Sequence, residues 1–196
     1  ILLRIDLFRE LCEENACWGK ARTFASDYGR YLYLNGRSEM PDYQPFDDRT
    51  FEVYAMCAIA GSGKDSYIRQ HLTHLPMLSL DEIRRERKLD PADSKHTAEA
   101  VRLGKEQAKE YLRARTSFVF NATNLNRDLR SKWLPMFADY GARVHLIYLE
   151  VPYTRLLSQN RNREHSVPND VLHRMIEKLE IPDYSEAHTV DFVVSS

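Results

Sequence analysis

A three-layer α/β fold, with a mostly parallel sheet between helices, is the architecture the sequence predicts. Three observations carry it. From Phe51 onward, short apolar runs alternate with longer segments of helical spacing. The run over residues 144–150 is almost continuously apolar, the texture of a strand covered on both faces. Between the first run and the helix-like segment after it stands Gly61-Ser62-Gly63, a tight turn joining strand to helix.

The elements take their places in order. Residues 1–36 read as helical, opening with the stripe Leu3, Leu7 and Leu11 and continuing through Phe24, Tyr28, Tyr31 and Tyr33. Residues 38–48 are rich in Pro and acid and carry no periodicity, which marks a linker. Residues 1–45 are therefore expected to be a helical N-terminal segment and linker left from an upstream domain, ahead of a main domain over 51–196. In the main domain, strands are expected at 51–60, 77–80, 117–122, 144–150 and 190–194. Helices are expected at 64–74, 94–113, 126–140, 152–160 and 169–180, with the charged segment 81–88 after the second strand. Helix 94–113 gathers Val101, Ala108, Tyr111 and Leu112 on one face. Helix 126–140 carries Leu129, Trp133, Phe137 and Tyr140 at helical spacing, and Gly141 stops it.

Composition narrows the function classes. With 196 residues, 43% hydrophobic and 29% charged, the chain can build one core and a smaller appendage. No run of about 18 apolar residues occurs, so no membrane-spanning helix is expected, and no signal-peptide pattern is visible. Cys12, Cys17 and Cys57 make neither a disulfide framework nor a metal cluster, and a reducing, cytoplasmic setting fits them. His71, His74, His145 and His188 lack metal or triad spacing. A net charge of −1 gives no global attraction to nucleic acid. Such an attraction would have to come from a local run such as Arg84, Arg85, Arg87 and Lys88, whose bland reading is a solvated helix face.

The segment from Ala58 to Ser66 is the most informative. Gly61, Ser62 and Gly63 let backbone N–H groups turn toward phosphate oxygens, and the following helix start adds its positive dipole. Lys64 then reaches the β and γ phosphates as a point charge. The match to the phosphate-loop pattern G-x-x-x-x-G-K-[ST] has two departures: Ala58 replaces the first glycine, and Asp65 replaces the metal-binding hydroxyl residue. Gly61, Ser62, Gly63, Lys64, Asp65 and Ser66 are the expected contacts of ATP or another nucleoside triphosphate, with Mg²⁺ beside Asp65. This makes the fold a P-loop NTPase type. On the acceptor side, a short strand ends in Ser79-Leu80-Asp81, placing a carboxylate in the crevice where such sheets bind ligands. Asp81 could take the proton of an attacking hydroxyl, and Arg84, one turn on, could hold a phosphate. A helix-capping Asp with a solvated Arg is the plain alternative.

With these pieces in place, residues 53–185 resemble the kinase domain of 5′-polynucleotide kinases, the end-healing enzymes of phage and bacterial RNA repair. The resemblance rests on the phosphate loop, on Asp81 and Arg84, on the run Asn121-Ala122-Thr123-Asn124, and on Gln159 through Arg163 followed by Val167-Pro168. It implies that Asp81 is the general base, that Arg84, Thr123 and Asn124 face the acceptor, and that Arg163 clamps the ATP phosphates from a lid. It also implies nucleic-acid 5′ ends as partners and fusion to an upstream end-processing domain. Gln159 stands where the family often has Arg, with Arg161 in the same turn as a candidate replacement. Asn121 stands where the family usually has Asp. Since the loop gains a carboxylate at Asp65 as the strand loses one at Asn121, the metal-side charge is expected to have moved from strand to loop; the alternative is that Asp65 only suits the helix dipole.

Two other functions remain open at this stage. The same loop and base would serve a kinase for a small-molecule hydroxyl on a nucleoside, sugar or sugar acid. The departures at Ala58, Asn121 and Gln159 would also suit a catalytically weak nucleotide-binding module that regulates an attached enzyme.

Overall fold

The computed structural model describes residues 2–162 and 166–194. The chain forms two compact units, Ile1–Phe46 and Asp47–Ser196. In the first unit, helices α1 (Leu2–Glu14) and α2 (Asp27–Leu34) are separated by irregular chain. The expectation of helix throughout 1–36 is corrected there, because Ala16 and Gly19 adopt positive φ of 54° and 72° and carry the chain out of the helix. Ser26 then starts α2 by accepting the Gly29 N–H on its hydroxyl at 3.0 Å. Leu3, Leu7 and Leu11, the expected stripe of α1, are all exposed.

The second unit runs β1 (Glu52–Cys57), α3 (Lys64–His71), β2 (Met77–Ser79), α4 (Leu80–Arg87), α5 (Ser94–Arg113), β3 (Phe118–Asn121), α6 (Arg127–Ser131), α7 (Leu134–Asp139), β4 (Arg143–Glu150), α8 (Tyr153–Arg161), α9 (Asn169–Glu177) and β5 (Thr189–Val194). The five strands lie in the order β2-β3-β1-β4-β5. Every described pairing is parallel, so β1, which feeds the phosphate loop, sits at the centre.

The period of two along each strand builds the layers. Val53, Ala55 and Cys57 of β1, Phe118 and Phe120 of β3, and Leu146 and Tyr148 of β4 all join one cluster. Ala100, Ala108 and Leu112 of α5 cover it, together with Trp133, Leu134 and Phe137. The intervening Met56, Val119, Ile147 and Leu149 join a second cluster closed by Ile68 and Leu72 from α3 and the residue after it. Phe137 meets Phe118 and Phe120 edge-on, at centroid distances of 5.6 and 5.5 Å. Each such buried ring contributes about 1.5–3 kcal/mol from burial alone.

The single helix expected over 126–140 is two. Pro135 lies in the first turn of α7, where its missing N–H is harmless, whereas an unbroken helix would lose a hydrogen bond and clash with the Ser131 carbonyl. Trp133 takes up the break at φ −123° and ψ −52°, and its ring stays packed on Phe120.

Candidate active site

The phosphate loop leaves β1 at its carboxyl end. The Ala58 N–H donates to the Thr123 carbonyl at 2.9 Å, tying the loop's root to the exit of β3. Ala58 is fully buried and is not among the described residues of positive φ, so a glycine is not required where the loop pattern usually has one. Ser62 folds back, its hydroxyl donating to the Ile59 carbonyl at 2.8 Å. Gly61 and Gly63 carry the turn at φ of 89° and 96°. A Cβ on Gly61 would also come within 3.3 Å of the Asn160 side chain. Gly63 is the N-cap of α3 and offers no side chain to it, the arrangement in which a helix start receives an anion.

The loop opens on a cleft of about 330 Å³. Gly61, Gly63, Lys64, Asp65 and Ser66 form one wall, and Gln159 and Asn162 from the end of α8 face them. The Gln159 amide, with its nitrogen toward the loop, donates to the Gly61 carbonyl at 2.6 Å and accepts from Arg155 Nε at 3.2 Å. Asn160 braces the same corner: it donates to the Val167 carbonyl at 2.7 Å and accepts the Val167 N–H at 3.0 Å. Arg161 is exposed at the end of α8, and Arg163 lies outside the described residues. Arg69, which the sequence reading passed over, also lines the cleft. Its position one turn beyond Asp65 and the helical spacing of α3 were the available signals.

The parallel register brings the next strands to the same edge. Ser79 at the end of β2 pairs with Asn121 at the end of β3. The Asn121 amide donates to an Asp65 carboxylate oxygen at 3.0 Å, joining β3 to the first turn of α3. Two residues past Ser79, Asp81 has a side chain 76% exposed, and Arg84 binds it at 2.7 Å. Ser79 caps α4 by accepting the Glu82 N–H, so Asp81 is not the cap the plain alternative required. Glu82 lies 3.9 Å from Arg85, so the basic run on α4 is partly matched by acid on its own helix.

Thr123 is half-buried, with its carbonyl engaged by Ala58. Asn124, expected beside the acceptor, is turned inward. It is 4% exposed, adopts φ of 48°, and donates its amide to the Met56 carbonyl at 2.7 Å. Asn tolerates that left-handed backbone, and here its amide fixes the exit of β3 against β1. The Asn124 carbonyl accepts from the Cys57 thiol and from Arg130. Burial pushes the Cys57 thiol up to about 11, the behaviour of a core residue rather than a nucleophile.

Arg130 is the unforeseen residue of this region. Its guanidinium makes a bidentate pair with Glu186 at 2.6 and 2.9 Å and also donates to the carbonyls of Asn124 and Glu180. The two side chains are 1% and 6% exposed, and the fork satisfies nearly every donor it buries.

A central strand, a glycine turn ending in Lys64, and a cleft open toward α8 define a P-loop nucleotide-binding domain with a kinase-type fold. The chain belongs to the AAA domain family, whose model matches residues 53–182. No curated protein matches it by sequence. Among solved structures, a sugar kinase from a Janibacter species superposes with a TM-score of 0.58 at 17% identity, over 74% of this chain and 86% of that one. A gluconokinase from Sinorhizobium meliloti gives 0.53 at 21% identity, over 74% and 83%. A chain of the Pnkp1/Rnl/Hen1 RNA repair complex gives 0.57 at 15% identity, over 67% of this chain and 44% of that one. These likenesses establish the shared fold. Among the described residues no helix is long and apolar enough to cross a membrane.

Proposed function

We propose that the chain transfers the γ-phosphate of ATP to a hydroxyl group, and that the acceptor is the 5′-hydroxyl of a nucleic-acid end. The observation that supports this acceptor is Asp81, exposed on the same sheet edge as the phosphate loop and paired at 2.7 Å with Arg84, whose own side chain is mostly covered. A small metabolite is ordinarily enclosed by its site, whereas the end of a polymer needs an open lip with a cation for its first phosphate.

Lys64 and the amides of the glycine turn hold the phosphates of the donor. Arg69 adds positive charge from the next turn, and the role of closing over the transferring group belongs to Arg163. Asp81 accepts the proton of the attacking hydroxyl at its carboxylate, while Arg84 holds that carboxylate in place and is ready for an acceptor phosphate. Positioning and charge stabilisation then supply most of the rate. The donor set suits Mg²⁺, an ion held mainly by substrate phosphates and one or two protein oxygens, since the Asp65 carboxylate lines the cleft beside Lys64. Bound beside Asp65, the ion would offset the negative charge of the phosphates.

A second reading keeps the donor side and exchanges the acceptor for a small-molecule hydroxyl. It is supported by the fold likeness to the sugar kinase and gluconokinase, whose TM-scores of 0.58 and 0.53 stand beside 0.57 for the RNA repair chain. The deciding experiment is transfer of labelled γ-phosphate from ATP with Mg²⁺ to 5′-hydroxyl and 5′-phosphate forms of one oligonucleotide, with gluconate and a nucleoside in parallel. Label confined to the 5′-hydroxyl strand and lost in Asp81→Ala supports the polynucleotide acceptor. Label on gluconate or nucleoside alone moves the assignment to the second reading. ATP binding with no transfer to any acceptor would leave a regulatory module.

A further inference from the structure

We infer that Asp65 supplies the protein carboxylate for the divalent ion of a bound nucleotide, with the Asn121 amide as the group that orients it. The inference rests on the reading that the loop binds a nucleoside triphosphate and deepens it by assigning the ion's protein ligand.

The geometry comes first. Asp65 follows Lys64 directly in the first turn of α3 and lines the cleft. Asn121, 9% exposed at the end of β3, donates its amide to an Asp65 carboxylate oxygen at 3.0 Å. The same amide nitrogen lies 3.6 Å from the Met77 sulfur, so its position is fixed by β2 as well as by α3. An amide donor orients a carboxylate without cancelling its charge, which a lysine or arginine in that place would do.

Charge counting comes second. P-loop enzymes commonly hold the ion with a loop hydroxyl and a strand carboxylate, a total of one negative charge from the protein. In this chain the loop position is an acid and the neighbouring strand end is an amide, so the total is again one. Two carboxylates at this 3.0 Å separation would repel or share a proton. A hydroxyl facing an amide would leave the site uncharged. Asp65 with Asn121 is therefore one of two compatible pairings, and the other is their exchange. A purely structural role, in which Asp65 only complements the helix start, makes no demand on residue 121.

The test is calorimetric binding of ATP with and without Mg²⁺ to wild type, Asp65→Asn, Asp65→Ser, Asn121→Asp and the double variant Asp65→Ser/Asn121→Asp. In the wild type Mg²⁺ should tighten ATP binding. In Asp65→Asn and Asp65→Ser that enhancement, the ratio of ATP affinities with and without Mg²⁺, should fall about 10–100-fold. The double variant should regain it. An undiminished enhancement in Asp65→Asn, or no recovery in the double variant, overturns the assignment. Wild type that binds no ATP in either condition would overturn the nucleotide reading itself, an outcome distinct from the other two. Thermal melts of the unliganded variants separate a cap effect, which would lower stability and leave the response to Mg²⁺ unchanged.

Discussion

The proposed donor half and the proposed acceptor half of this sheet edge are built differently. Around the phosphate loop nearly every group is fixed by something far away in sequence. Ala58 is tied to Thr123, Gly61 to Gln159, Asp65 to Asn121, and the Asn124 amide to Met56. On the acceptor side Asp81 is bound to Arg84 within one helical turn, and both belong to a helix entered from an edge strand of three residues. Preorganised groups are what phosphate binding requires, since donors aimed in advance incur no reorganisation when charge develops. An acceptor site that is open and locally held is consistent with a partner that brings its own structure.

Substitution can break that contrast. The largest effect is expected from Lys64→Ala, which should weaken ATP binding and lower transfer at least about 10³-fold, read by calorimetry and turnover together. Next, Asp81→Ala should lower turnover by about 10²-fold or more and leave ATP affinity unchanged. If ATP affinity falls as well, the two halves are coupled and the contrast fails. Arg130→Met should cost about 3–5 kcal/mol in urea denaturation, because Glu186 would be left buried and unpaired. Adding Glu186→Leu should return part of that loss, which sharpens the point that the donor half stands on a buried ion pair. Acid should have the smallest effect and spare neither half. Burial, then the neighbouring Arg49 guanidinium, holds the His188 imidazole down at about 3, and Val144 donates its N–H to the ring. Between the ordinary value near 6.5 and about 3 the unfolded chain takes up a proton that the folded chain refuses. Stability should therefore be fully present above pH 6.5 and fall by a few kcal/mol as pH drops toward 3. Asp47, held down at about 2 by Arg49, extends the same loss to lower pH. Thermal melts across this range, with His188→Gln flattening the upper part, check the sign.

The sequence disclosed the layers because a strand buried on both faces reads as an unbroken apolar run and a covering helix keeps a 3.6-residue period. The strands and the helix Ser94–Arg113 fall where those patterns place them. The break in the 126–140 helix was also written there, in Pro135, but the aromatic spacing that continues across it hid the signal. The loop was legible for a different reason. Its residues act through their own backbone, so glycine spacing carries the geometry directly. Asn124 and Arg130 were illegible because their work is tertiary. Asn124 reads as one more polar residue in a strand-end motif until its amide is seen on Met56. Arg130 sits 56 residues from Glu186, and no local period announces a pair at that separation.

That long-range pair bears on how the domain can be cut and how it assembles. The family match ends at residue 182, four positions before Glu186. A fragment trimmed to that boundary would carry Arg130 into the interior with its counter-charge deleted, along with all of β5. During folding the same geometry delays completion, since Arg130 draws together chain near residues 57, 124, 180 and 186, and the last of these is also the last to be synthesised. The sheet edge that carries the phosphate loop is thus secured by chain near residues 180 and 186, which follows the loop by more than a hundred positions.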